Sequence, residues 1–289
     1  MKTDRRYHLS KDYFRARFGD RLQRVTISGG LVCPLEPEAG ACVFCRDAHA
    51  MDPSWGRGAP PHEQIRRAVN FSKRKHQPEP HLHITVPIHP VGPPPMDHIE
   101  ATLEAIIRTP GVSVVSFGMQ TAWVTNELTR LLSRYALDGR DVWLDHDQAP
   151  EDWPGERPEA LFYGVQIDLG LGSTPGTSNG DSIDLAAMQV QQLKPNAVSF
   201  KAPSIVAGTE AAAKWESGRF RGVELDQFAD RAAEFLEKIP LEVIINPLVL
   251  NAPDDSIVGP QWVHNRQKVE EAISLALEAR GGVQGGRVG

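Results

Sequence analysis

The chain of 289 residues contains only three cysteines, Cys33, Cys42 and Cys45, and all three fall within one 13-residue stretch. Thiolates in a C-x8-C-x2-C arrangement can hold three irons of a cubane cluster, which leaves the fourth iron open to a small molecule. An odd number of cysteines so clustered suits a metal site better than a disulfide framework, and a reducing compartment keeps such thiols available as ligands. Two other readings stand beside it. His49 completes a Cys3His set that could bind structural zinc tetrahedrally, and three cysteines without metal would be an ordinary loop.

The elements that must position this stretch follow from hydrophobic period and punctuation. Residues 1–24 are basic and aromatic, with Tyr7, Tyr13, Phe14 and Phe18 spaced as a short amphipathic helix before Gly19. Arg24 to Ile27 reads as a strand that Gly29-Gly30 releases into the cysteine stretch. Beyond it the pattern gives helices from Pro60 to about Lys75, Met96 to Arg108, Thr125 to Tyr135, Ser182 to Leu193, Glu224 to Lys238 and Val263 to Arg280. Strands are expected at His81–Val86, Val112–Phe117, Val142–Leu144, Tyr163–Asp168, Ala197–Phe200 and Glu242–Ile245. This alternation predicts an α/β fold of parallel βαβ units with right-handed crossovers. Residues 149–160 carry three prolines and four acids and cannot form a crossover helix. One domain over 1–289 is expected, with 1–24 as an N-terminal helical extension and 281–289 as a flexible tail.

Composition narrows the function classes. Hydrophobic residues make up 40% and charged residues 24%, ordinary globular usage. With 31 Lys+Arg against 37 Asp+Glu the formal charge is −6, so no global positive field would hold a polyanion, although a local basic patch stays open. No apolar run approaches the roughly 20 residues of a spanning helix, and the N-terminal stretch has no apolar h-region, so a cytoplasmic protein without membrane partners is expected. His81 and His83 read as half-exposed strand residues. The Gly170–Gly180 turn lacks the phosphate-cradle pattern, so binding of a nucleoside triphosphate is not expected.

The stretch RRYHLSKDYFRARFGDRLQRVTISGGLVCPLEPEAGACVFC resembles the YhcC-type radical S-adenosylmethionine (SAM) proteins, relatives of the elongator catalytic subunit. It shares their Arg-Tyr opening, Phe-Gly, the Gly before Cys-Pro, and the widened cysteine spacing. The C-terminal part is similar too, in Ala207-Gly208-Thr209, the Gly218-Arg219-Phe220 turn, FLEKIPLEVII, and PDDSIVGPQWVHNRQKVEEAI with Pro253, Asp255, Pro260, Trp262 and Asn265. The resemblance implies a partial (β/α)6 radical SAM barrel with a [4Fe-4S] cluster on Cys33, Cys42 and Cys45, and SAM on the open iron with Phe44 beside its adenine. A reductant such as flavodoxin or ferredoxin would be a partner. A 5′-deoxyadenosyl radical would then abstract hydrogen from a substrate.

Parallel barrels present their sites at the carboxyl ends of the strands. For SAM that selects Thr85, Gln120, Asp145 and Gln166, where a carboxylate could accept ribose hydroxyls or the SAM ammonium and amides could fix orientation. Asp168 reads as a carboxylate inside an apolar strand, where it would be costly without a function. Lys201 and, as an acid–base group among acids, His146 complete the candidate catalytic set.

The sequence also departs from the family. Gln120-Thr121-Ala122 stands where Arg-Pro-Asp is usual, and Asn246 to Asn251 replaces a basic His-Arg-Leu-Thr-Gly-Asp stretch. The acidic 149–160 segment stands where the family has a longer helical crossover, so the barrel is expected to be shortened or opened there. With those cations gone, a small-molecule or peptide substrate is expected ahead of tRNA, whose wobble uridine some relatives modify. A zinc-stabilised binding protein and a catalytically degenerate partner subunit remain as the competing classes.

Overall fold

The computed structural model describes residues 6–19, 22–27, 59–75, 81–86, 93, 95–136, 140–169, 182–250 and 256–288. Cys33, Cys42, Cys45, Phe44 and His49, and the 170–180 turn, lie outside the described residues. The chain forms two compact units, one of Phe14–Glu36 and Ala48–Gly164, the other of Met1–Tyr13, Pro37–Asp47 and Val165–Gly289. The first helix, α1 (Ser10–Phe18), contributes to both.

The unit centred on Ala48–Gly164 is a βα series: β1 (Leu22–Thr26), α2 (Pro61–Lys75), β2 (His81–Val86), α3 (Met96–Ile107), β3 (Val112–Met119), α4 (Asn126–Arg134), β4 (Asp141–His146) and the start of β5 (Leu161–Ile167). β1, β2, β3 and β4 pair in that order, each parallel to the next. The helices cover one face of these strands because their apolar residues recur at helical spacing. Ile65 and Ala68 of α2, Ile99, Leu103 and Ile106 of α3, and Leu128, Leu131 and Leu132 of α4 join Ile84, Val115, Phe117 and Leu144 in one core. Each such Ile, Leu, Val or Phe side chain contributes roughly 1.5–3 kcal/mol by leaving water. Thr125 caps α4, its Oγ1 accepting the Leu128 N–H at 3.2 Å.

The opposite face of the same strands is closed at its lower end by the second half of α1. Phe14 packs on His83 and Trp143 with ring centroids 5.4 and 6.0 Å away, and Trp143 stacks on Phe162 at 4.7 Å. Arg17 holds the fully buried Asp141 carboxylate at 2.5 Å. His83, read from sequence as half-exposed, is buried and shares a 2.7 Å hydrogen bond with Ser116 Oγ. Burial, aided by the Arg24 guanidinium, holds its pKa well below the ordinary histidine value. From β4 to β5 the chain crosses without a helix, as residues 149–160 predict. Trp153 anchors that segment against His146 and Tyr163, and Arg157 lies 5.0 Å over both the Trp153 and Tyr163 rings.

The other unit holds the end of β5, then α5 (Ser182–Leu193), β6 (Ala197–Lys201), β7 (Ile205–Val206), α6 (Glu210–Glu216), α7 (Leu225–Glu237), β8 (Ile244–Val249), β9 (Ile257–Gly259) and α8 (Arg266–Ala279). β6 and β8 are parallel, and the short β7 and β9 form an antiparallel pair. Strand order along the large sheet is β1-β2-β3-β4-β5-β6-β8. β8 runs four residues beyond the strand read from sequence, through Pro247, because it is last in that order and its register shifts against β6 there. Thr209 caps α6 and Asn265 caps α8, each accepting a backbone N–H three residues on. Phe200, Phe228 and Phe235 form the aromatic core, with Trp262 5.0 Å from Phe228.

The C-terminal tail is not the flexible extension the glycines suggest. Gln284 is 2% exposed, and its amide donates to the Pro240 and Val243 carbonyls at 2.7 and 2.8 Å while accepting the His8 N–H at 2.9 Å. The glycines fit this docking. Gly281 has φ +61°, and a β-carbon on Gly282 would collide with the Glu237 carboxylate that Arg280 holds at 3.0 Å.

Candidate functional site

Register decides which side chains share a face. Thr26, Thr85, Ser116 and Trp143 stand in one row across β1 to β4, and one step along the same face Gly118 stands opposite Asp145. That face, away from the helices, carries the polar residues. Arg24 belongs to it, two residues before Thr26 on β1.

Asp145 lies between two strand glycines. Gly118 pairs with it from β3, and on the β5 side a β-carbon at Gly164 would meet Asp145 Oδ1. Side chains at either position would fill the space beside the carboxyl group. Burial pushes the Asp145 pKa up to about 6, with the Arg24 guanidinium opposing the rise. The Thr85 hydroxyl oxygen is buried and has no hydrogen-bond partner. A carboxyl group short of counter-charge and an unpartnered hydroxyl on one face suit a ligand rich in N–H and O–H donors, as an ammonium group or ribose hydroxyls are.

The remaining candidates are placed as follows. Gln120 follows β3 in extended conformation, part-buried, and makes no side-chain cap to the 3-10 turn Thr121–Trp123. Asp147 caps that turn instead, its Oδ1 accepting the Thr121 N–H at 2.9 Å while the Asp147 N–H donates to the Met119 carbonyl at 3.1 Å. Gln166 is part-buried on β5. Lys201 is the last residue of β6, part-buried opposite Val249. Asp168 corrects the sequence reading: β5 starts two residues earlier than expected and ends at Ile167, so Asp168 is exposed in the loop instead of inside the strand, and burial gives it no cost to explain.

His146 also corrects it. As the neighbour of Asp145 along the strand it points the other way, to the helix face, where its ring is fully buried 5.2 Å from Trp153. Both ring nitrogens lack hydrogen-bond partners, and burial lowers its pKa to about 4. Sequence reasoning missed Gly164 as part of the site. The signal was present, because a glycine inside a strand marks close approach of another group. Among the described residues no three His, Cys, Asp or Glu side chains gather as a metal site.

Comparisons with known proteins agree at both ends of the chain. The family model described as the radical SAM C-terminal domain matches residues 203–278, which span β7 to nearly the end of α8. An uncharacterised protein of Methanocaldococcus jannaschii is 23% identical, covering 95% of this chain and 90% of its own. Escherichia coli YhcC is 22% identical over 94% of this chain and 92% of its own, and Bacillus subtilis YtqA 21% over 98% and 93%. The solved structure of archaeal Methanocaldococcus infernus Elp3 with an N-terminal deletion superposes with a TM-score of 0.55 at 13% identity, covering 91% of this chain. The chain is similar to YhcC over nearly its whole length, and its C-terminal part matches the radical SAM C-terminal domain. Its fold is the mixed α/β fold of that Elp3, with a parallel sheet, and it spans 64% of that chain's length.

Several C-terminal residues of the radical SAM resemblance have a folding task. Gly208 with φ +76° precedes the Thr209 cap, Gly218 with φ +69° ends α6, and Trp262 donates its indole N–H to the Val223 carbonyl at 2.8 Å. Asn246, in the altered stretch, links β8 to β6 and α8: its amide donates to Ser199 Oγ at 3.2 Å and its oxygen accepts from Arg266. Among the described residues no helix is long and apolar enough to cross a membrane.

Proposed function

We propose that the protein is a radical SAM enzyme, with Cys33, Cys42 and Cys45 holding a [4Fe-4S] cluster and a small-molecule or peptide substrate. When bound, the cluster and SAM together supply a 5′-deoxyadenosyl radical able to take hydrogen from an unactivated carbon. The observation that carries the reading is the Asp145 carboxyl group set between Gly118 and Gly164, on the same face as the unpartnered Thr85 hydroxyl.

The protein's own part is to bind and orient. Asp145 accepts hydrogen bonds from the SAM ammonium or ribose, and a cationic ligand favours its ionised form against the burial that raises its pKa. Thr85 satisfies its hydroxyl on the same ligand, and the two glycines leave the room. Gln120 and Gln166 fix orientation through their amides. Phe14, Trp143 and Phe162 close the lower end of this face, which limits water behind the site. Lys201 and Asp168, at the ends of β6 and β5, are the groups assigned to the substrate.

Support for a substrate other than tRNA comes from the net charge of −6 and from Asn246 serving the fold in the stretch where the family is basic. Anaerobic reconstitution with iron and sulfide tests the assignment. About four irons per chain, with a reduced-cluster EPR signal that changes on adding SAM, are expected of the parent, and both are lost in Cys42→Ala. Zinc as the only metal taken up would overturn it.

A further inference from the structure

Between α6 and α7 the chain reads Gly218-Arg219-Phe220-Arg221-Gly222. This turn is fixed along its backbone. The Arg219 and Phe220 N–H groups donate to the Lys214 carbonyl at 2.9 and 3.1 Å, and the Val223 carbonyl accepts the Trp262 indole N–H. The Trp215 ring fills the space beside Gly222 and Gly259, where a β-carbon would come within 2.8 and 2.9 Å of it. Phe220 is half-buried, and Arg219 and Arg221 on either side of it are exposed.

Most arginines of the fold close an ion pair or a hydrogen bond. Among the described residues the Arg219 and Arg221 side chains close neither. Glu210 engages Lys214 at 2.7 Å, and the exposed Glu216 and Glu224 pair with neither arginine. The turn lies beyond the carboxyl ends of β6 and β8. A β-carbon on Gly222 would sit 3.6 Å from Ile205 Cδ1, and Ile205 opens β7 four residues after Lys201, the last residue of β6. In between, the Ala202 N–H donates to the Val249 carbonyl at the end of β8. The Ser204 hydroxyl oxygen there is buried and has no hydrogen-bond partner, a donor that a ligand oxygen would satisfy.

We propose that Arg219 and Arg221 bind the phosphate group of a phosphorylated small-molecule substrate. The inference rests on the radical SAM reading, which needs a substrate and assigns Lys201 to it. Guanidinium forks match phosphate oxygens bidentately. A phosphate monoester carries about −1.5 to −2 charge at pH 7, which suits two arginines better than a single carboxylate does. Because the turn is already held in place, little ordering is lost on binding. Glu216 and Glu224 bracket the arginines in sequence, so a long phosphate chain passing over the turn would meet an acid on either side, whereas a compact dianion fits between them.

The test titrates inorganic phosphate at constant ionic strength into the anaerobically reconstituted parent, Arg219→Gln/Arg221→Gln, Arg219→Lys/Arg221→Lys, and Arg74→Gln, an exposed arginine of α2 as control. Calorimetry reads binding and thermal unfolding checks the fold. Saturable binding is expected of the parent and of Arg74→Gln, an affinity about tenfold or more lower in the Gln pair, and an intermediate value in the Lys pair, which keeps the charge without the fork. Phenylglyoxal labelling mapped by peptide mass spectrometry should show phosphate protecting Arg219 and Arg221. Equal phosphate affinity in the Gln pair, or no saturable binding by the parent, overturns the proposal. Succinate bound more tightly than phosphate, and lost in the Gln pair, overturns it in favour of a carboxylate. An RNA oligonucleotide lost in the same variant, with no binding of phosphate by the parent, overturns it in favour of a nucleic acid. If the parent yields no 5′-deoxyadenosine, the enzyme reading fails separately, and the phosphate titration still decides the role of the turn.

Discussion

Asp145 and Gly164 approach so closely that a β-carbon at position 164 would occupy the place of the Asp145 Oδ1 atom. Gly164→Ala must therefore displace the carboxyl group or spread β4 from β5. We expect a loss of about 1–3 kcal/mol of stability, the usual range for overpacking, and a larger fractional loss of SAM binding than of fold. Thermal unfolding beside calorimetric SAM titration reads both. SAM affinity at the parent's level in a folded Gly164→Ala protein would remove Asp145 from the site.

Asp145 should also mark the pH dependence. Its pKa is 3.8 unfolded and about 6 in the native protein, so the native state holds the proton more tightly. Stability therefore falls as pH rises from 3.8 to about 6, and the penalty is complete above that. Asp145→Asn lacks it. The variant should match the parent near pH 4 and exceed it above pH 6 by about 1–2 kcal/mol, after allowance for the carboxyl group's partial exposure. SAM binding should strengthen through the same window in the parent and stay flat in Asp145→Asn.

His146 gives the opposite sign. Its pKa drops from 6.5 to about 4 on folding, so the native state binds fewer protons than the unfolded chain. The resulting stability is complete above pH 6.5 and is lost as pH falls toward 4. His146→Phe, which keeps the ring against Trp153, should be more stable than the parent at pH 4 by up to about 3 kcal/mol relative to their difference at pH 7. Urea unfolding at the two pH values measures it.

The order of helices and strands was legible because buried parallel strands and one-sided helices leave apolar periods that short-range chemistry does not disguise. β2 and α5 have the bounds read from sequence, His81–Val86 and Ser182–Leu193. Strand ends were less legible. Asp168 read as internal because Ile167 and Leu169 flank it, yet β5 starts two residues before the expected Tyr163 and stops at Ile167. His146 read as a strand-end acid–base group, and only strand parity with Asp145 shows that it faces the helices. The short β7 and β9 pair was missed because two or three residues carry no period. For the cysteines the sequence remains the source, since Cys33, Cys42 and Cys45 lie outside the described residues.

Gln284 shows what composition hid. Its amide serves carbonyls of Pro240 and Val243 and the N–H of His8, none of which a glycine-rich terminal segment suggests. Gln284→Ala should cost about 2–4 kcal/mol, because several buried backbone groups lose their partner together. Protease resistance of the N-terminal segment should drop with it, and unchanged unfolding would return the tail to a peripheral role.

The most direct measurement of the central claim is 5′-deoxyadenosine formed from SAM by the anaerobically reconstituted, dithionite-reduced protein, alongside Cys42→Ala and Asp145→Ala. The account predicts nucleoside from the parent, none from Cys42→Ala, and about a tenfold or greater loss in Asp145→Ala from the missing charge-assisted bonds. A parent that carries its cluster, binds SAM and yields no nucleoside, or a Cys42→Ala protein that yields as much as the parent, would contradict it.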